Sequence, residues 1–188
     1  RRERKGGGVI DYSPIRPVLF LDIDGVLNAH EEIHPEVVSG VIRHDKVELL
    51  NFVLKHTNSQ IVVSSAWRYL CFRDEMKTTG LSWLLRSHGV WNRLVSITRA
   101  DTMLAKVVPN MANPKELWAH FPTENERGQQ ITDWLTGSGH KASYAVVDDL
   151  DLGIRAAGHP FVQTDGTKGL QAGNVVDLIR MLGIVGAA

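Results

Sequence analysis

The chain has 188 residues, 43% hydrophobic and 22% charged, and its 21 lysines and arginines balance its 21 aspartates and glutamates. That length suits one domain with a sizeable core, and the zero formal charge excludes a global basic field drawing it to nucleic acid or an anionic membrane; a local basic groove stays compatible with it. The single cysteine, Cys71, excludes an internal disulfide and fits a reducing compartment; with no apolar run near the ~18 residues of a membrane span and no signal-peptide pattern, the expected location is cytoplasmic, with no membrane partner.

Residues 1–16 open with RRERKGGG and read as a flexible, basic, glycine-rich segment, a linker or solvated terminus, with an electrostatic arm for a polyanion as the sharper alternative. The domain itself is placed at 17–188. Its first stretch, PVLFLDIDGVLN (Pro17–Asn28), is an apolar strand at Val18–Leu21 that delivers Asp22 and Asp24 into a turn at Gly25. Alternate strand residues share a face, so the two carboxylates leave the strand end pointing the same way, and Gly25 permits close backbone approach. Two anions this close repel, and Mg²⁺ between them is the usual remedy.

Residues 29–44 hold His30, His34, His44, Glu31 and Glu32 without a clean period or a zinc spacing, and read as a solvated loop or small flap. Asp45–His56 predicts an amphipathic helix with Val47, Leu50 and Leu54 on one stripe, flanked by Leu49 and Phe52. Ile61–Val63 predicts a second strand, running into Ser64, Ser65, Ala66, Trp67 and Arg68. Residues 69–89 read as helix in two pieces broken near Gly80, with Leu81, Leu84 and Leu85 as core, and Leu94–Thr98 as a third strand. Residues 99–124, punctuated by Pro109, Pro114 and Pro122, read as a loop-rich insertion or small lid with a short helix near Lys115–His120. Arg127–Leu135 predicts a helix with Ile131, Trp134 and Leu135 inward; Tyr144–Val147 a strand ending in Asp148 and Asp149; Phe161–Thr164 a short strand; Val175–Leu182 a closing helix. Trp83, Trp118 and Trp134 read as core, Trp67 as core or stacking surface, and Asp151 as a turn residue outside the site. Apolar strands alternating with helices indicate a mainly parallel five-stranded α/β sheet covered on both faces, with ligand chemistry beyond the carboxyl ends of the strands, where residues 22–24, 64–65 and 148–149 all fall.

These residues carry a resemblance. LFLDIDGVLN resembles the first motif of the haloacid dehalogenase-like (HAD) phosphohydrolases, IVVSS their second, an apolar strand ending in Ser or Thr, and YAVVDD their fourth, an apolar strand ending in paired acids. The order and spacing match from residue 17 onward, whereas receiver domains, which also cluster acids, place the acidic pair first. The family's third motif, a Lys or less often Arg before the acidic-pair strand, is filled by Arg127, with Lys115 and Lys168 as fallbacks; Arg forks onto phosphate oxygens and is always charged.

The resemblance implies a Rossmann-like HAD core without a large cap. It implies that Asp22 attacks phosphorus to form an aspartyl-phosphate and that Asp24, an acid HAD phosphatases carry and dehalogenases lack, protonates the leaving alkoxide and then activates water. Mg²⁺ would be held by Asp22, the main-chain carbonyl of Asp24 and Asp149, with Asp148 behind it or paired with Arg127. Ser65, or else Ser64, would donate to a phosphoryl oxygen, and Gly25 and Arg68 complete the phosphate-facing candidates. Only ~20 residues separate the first motif from the next helix, too few for a helical cap domain, and an open site suits a large substrate. The run RGxxIxxWL…VVDDxD…VQTD…GL is similar to small HAD domains of polynucleotide kinase–phosphatases and RNA-repair proteins. The expected activity is therefore Mg²⁺-dependent phosphomonoester hydrolysis on a nucleotide or polynucleotide end, with a fused or associated kinase or ligase domain as a possible partner. A capless phosphatase for a phosphoprotein or small phosphometabolite, and a non-catalytic binding module on the same fold, stay open as alternatives.

Overall fold

The computed structural model describes residues 12–29, 42–67, 77–91, 93–98 and 126–184. The expected segments of residues 1–11, the flap at 30–41, the helical piece at 69–76, Arg68 and the lid at 99–124 with Lys115 and Trp118 lie outside them. Among the described residues the elements follow in order: β1 (Val18–Leu21), α1 (His44–Thr57), β2 (Gln60–Val63), α2 (Lys77–Ser87), β3 (Leu94–Ile97), α3 (Glu126–Ser138), β4 (Tyr144–Asp148), β5 (Phe161–Gln163) and α4 (Ala172–Leu182). The strands form one sheet in the order β3-β2-β1-β4-β5, with every pairing parallel. The α/β class and the five parallel strands thus stand as expected.

Strand alternation divides the core. Leu19, Leu21, Ile61, Val63 and Val147 pack with Val47, Leu50 and Leu54 of α1, Leu81 and Leu85 of α2, and Val175 and Leu178 of α4. On the other face Val18, Phe20, Val62 and Val146 meet Ile131 of α3 and Ile154. Both faces of β1 are fully buried, which is why VLFL carries no polar residue at all. Leu21 pairs with Val63 on one side and Val147 on the other, so the residues after β1, β2 and β4 emerge level at one end of the sheet. The chain leaves β1 toward β2 on one side and reaches β4 on the other, so the gap between the ends of β1 and β4 is the topological switch point.

Two local readings are corrected. Gly80 breaks nothing: α2 runs unbroken from Lys77 to Ser87, absorbing a propensity cost of about 1 kcal/mol. Trp83 is 70% exposed rather than core, because it sits two residues from Leu81, on the opposite side of a helix whose buried stripe is Leu81 and Leu85. Trp134 is inward as expected, its ring 5.3 Å from that of Phe20 in an edge-to-face contact, and Tyr144 also meets Phe20 edge-to-face at 6.0 Å.

Phe20 is therefore the anchor of the second face. Phe20→Ala is expected to cost about 3–5 kcal/mol, read as a lower urea midpoint with an unchanged slope.

Candidate active site

β1 hands its last carbonyl-paired residue to Asp22, whose N–H donates to the Val147 carbonyl at 3.0 Å, so the first carboxylate is fixed by the sheet itself. The chain then tightens into a turn in which the N–H groups of Val26 and Leu27 donate back to the Ile23 carbonyl at 3.2 and 2.8 Å. Gly25 has φ +68°, and a Cβ there would lie 2.5 Å from the Asp149 Cγ. The glycine is required twice over, by its backbone angle and by the carboxylate it faces.

Asp22, Asp148 and Asp149 are all buried, and one oxygen of each lies within 4.8 Å of the others. Arg127, in the first turn of α3, reaches into this group. Its Nη1 lies 3.1 Å from Asp22 Oδ2 and donates a close hydrogen bond to Asp148 Oδ2, with the whole side chain only 8% exposed. Asp148 is held further by the Leu150 N–H at 2.9 Å. Burial pushes the Asp148 carboxyl well above its usual range and the Asp22 charge adds to this, against the opposing pull of Arg127. Burial works against the charge on Arg127, but Asp148 and Asp22 outweigh it and hold the guanidinium more firmly protonated than usual. Three carboxylates facing one guanidinium leave two negative charges in excess when all are ionised. A divalent cation bound by hard oxygen donors, such as Mg²⁺, fits both the donor set and that charge.

Asp24 is placed differently. Its side chain is not part of the three-acid group; Asn28 Nδ2 donates to its Oδ1 and Trp67 Nε1 to its Oδ2, each at 2.9 Å. Asn28, fully buried, also accepts from the Gly25 N–H at 2.8 Å, so it clamps both ends of the turn. Neither Asn28 nor the indole of Trp67 was marked as a site residue by the sequence. The signal for Asn28 was its place four residues after Asp24, within reach across one turn. Trp67 is 3% exposed and packed in the main core, so its core reading holds and a polar contact is added to it.

Ser64 and Ser65 are both buried at the end of β2. Ser64 Oγ accepts from Thr98 Oγ1 at 3.5 Å, toward β3, while Ser65 Oγ accepts from the Trp67 backbone N–H at 3.3 Å and so belongs to the segment that touches Asp24. Lys168 is not brought to the acids: it is 66% exposed and paired with Asp165 at 2.6 Å. Asp151 accepts from the Arg155 N–H at 2.9 Å at the surface. His44 is likewise exposed, beside Glu48 on α1.

A network behind Arg127 was also not legible. The Gly128 carbonyl accepts from His159 Nε2 at 2.9 Å, which leaves His159 Nδ1 to accept from the Tyr144 hydroxyl at 3.0 Å. Thr164 Oγ1 donates to the Gly25 carbonyl at 2.7 Å, tying the end of β5 to the turn.

A family model described as "HAD domain in Swiss Army Knife RNA repair proteins" matches residues 18–175. No curated protein and no solved structure matches the chain.

Two outcomes follow from the geometry. Gly25→Ala must displace Asp149, so the stabilisation of the protein by Mg²⁺, read as a shift in thermal midpoint, should be lost or strongly reduced. The raised Asp148 also sets a sign. The folded chain keeps this proton to a higher pH than the unfolded chain, which releases it near pH ~4, so this contribution to stability falls as pH rises above that value. Melting curves from pH 4 to 7 in EDTA should show the fall, and Mg²⁺ should diminish it by stabilising the ionised carboxylates.

Proposed function

The chain belongs to the HAD domains of Swiss Army Knife RNA repair proteins, and from that premise we propose a Mg²⁺-dependent phosphomonoesterase that works through an aspartyl-phosphate on the phosphorylated, foremost the 3′-phosphorylated, end of a nucleotide or polynucleotide. The observation that carries the reading is the separation of two carboxylates that stand only two residues apart. Asp22 lies in the acidic group beside Arg127, while Asp24 lies outside it between two neutral donors.

In this reading an Asp22 oxygen attacks phosphorus, the bond to the ester oxygen breaks, and Asp24 gives its proton to the leaving alkoxide. Asp24 then takes a proton from water, whose oxygen attacks the acyl phosphate and releases inorganic phosphate, restoring both side chains. Arg127 holds Asp22 in place and supplies positive charge near the phosphoryl oxygens. Its Nε is buried with no hydrogen-bond partner among the described residues, an unmatched donor of the kind a phosphoryl oxygen would satisfy. Ser65 contributes its hydroxyl to the same group, with Ser64 held toward Thr98. Asp22, Asp148 and Asp149, with the Asp24 carbonyl, would hold the Mg²⁺, which when bound offsets charge on the phosphoryl oxygens. The nucleic-acid end is the first substrate to try because the matched family is described from RNA repair proteins.

Phosphate release from a 3′-phosphorylated oligonucleotide, a 5′-mononucleotide and p-nitrophenyl phosphate, with Mg²⁺ or EDTA, tests this. Turnover of the oligonucleotide that needs Mg²⁺ and drops roughly a thousandfold or more in Asp22→Asn is expected. Turnover of the mononucleotide or aryl phosphate alone would move the substrate to small molecules.

A further inference from the structure

We propose that Trp67 is a positioning residue for the acid–base carboxylate: its indole N–H, together with the Asn28 amide, fixes the plane of the Asp24 carboxylate toward the leaving oxygen. This rests on the acid–base reading of Asp24 given above.

The terminal torsion of an aspartate is broad and confers little orientation of its own. Here each oxygen of Asp24 receives a donor at 2.9 Å, Oδ1 from Asn28 and Oδ2 from Trp67. Both carriers are rigid. Asn28 is fully buried and pinned by the Gly25 N–H, and Trp67 is 3% exposed within the main core. An indole nitrogen donates and cannot accept, so the direction of this bond does not depend on a tautomer or an amide flip. Core packing alone would be satisfied by phenylalanine; a tryptophan whose only polar atom meets a carboxylate marks a second demand on the position. The same residue's backbone N–H donates to Ser65 Oγ at 3.3 Å, so one residue holds both the acid–base carboxylate and the hydroxyl at the end of β2. Misplacement of a reacting group by about 1 Å can cost ~100-fold in rate, and loss of a single orienting bond is a smaller displacement.

The test compares leaving groups. p-Nitrophenolate departs without a proton, whereas the alkoxide of a 3′-phosphorylated oligonucleotide, or of a simple alkyl phosphate if the oligonucleotide is not turned over, needs one. Single-turnover rates of leaving-group release, which precede the shared hydrolysis of the acyl phosphate, and KM would be measured for both with the wild type, Trp67→Phe and Asp24→Asn. Trp67→Phe should slow the alkyl ester about tenfold, leave the aryl ester within about twofold and leave KM unchanged. Equal losses on both esters, as from loosened packing, or no loss on either, would overturn the role of Trp67. If Asp24→Asn itself lacks a leaving-group-dependent loss, the acid–base reading fails; if it shows one that Trp67→Phe does not, only the role of Trp67 fails. Should Trp67→Phe not fold, the indole N–H resonance of Trp67 gives an independent reading. It should be protected from exchange in the wild type and shift in Asp24→Ala, and an unmoved resonance would sink the proposal.

Discussion

The contact of Arg127 with Asp22 and Asp148 governs the carboxyl end of the sheet. Each of these groups gives up hydration on burial, and a buried ion pair seldom gains much net stability over an apolar replacement. A cation in the first turn of α3 also faces the positive end of that helix, where a lone arginine gains nothing. The arrangement is tolerable only because the acids are there: Asp148 and Asp22 hold the guanidinium charged, and the guanidinium in turn lets Asp22 sit near-buried beside Asp148. What remains is an imbalance, since Asp149 completes a three-acid group around a single cation. A fold that keeps this excess buried has a donor set and a charge that a divalent ion would offset, and is not optimised for its own stability.

Holding those charges so close requires backbone that lets them approach. Gly25 faces the Asp149 carboxylate across a gap that no Cβ could enter. On the far side, Gly128 lies against the Gly153 carbonyl, its N–H donating to the Leu152 carbonyl at 3.3 Å, so that the start of α3 is pressed onto the loop after β4. The His159 imidazole, braced by Tyr144, accommodates the Gly128 carbonyl and closes the same corner. Position 127 is thus set by its neighbour as much as by its own contacts. A glycine follows Arg127 because the helix could not otherwise come near enough for the arginine to reach two carboxylates.

Much of this was legible from the chain. β-branched and aliphatic runs with no polar interruption located β1, β2 and β4, and the polar residues just beyond each run marked one end of the sheet. The order of the acidic pairs identified the family. Periodicity misread Trp83, because a large aromatic near two leucines looks like core until its angle around the helix is counted. It misread Gly80, because helix propensity is a weak term that packing of Leu81 and Leu85 overrides. Donor–acceptor partners across the fold were beyond it altogether. Trp67 could be assigned to the core, but its contact with Asp24, 43 positions away, arises from the alignment of β1 and β2 and leaves no local trace. The contact of Gly128 with His159 spans 31 positions for the same reason.

The pattern Asp-x-Asp supplies two chemically identical groups at one strand end, and the fold gives them different surroundings. Asp22 is surrounded by charge: two further carboxylates and a guanidinium, with its backbone locked into the sheet. Its backbone is set by the sheet and its carboxylate by the Arg127 guanidinium. Asp24 accepts from the neutral N–H donors of Asn28 and Trp67 and remains partly exposed. In the proposed acid–base role, these two donors orient the carboxylate without adding a positive charge of their own. Gly25 follows at once, and its left-handed backbone without a Cβ lets the Asp149 carboxylate close onto the turn that carries both groups.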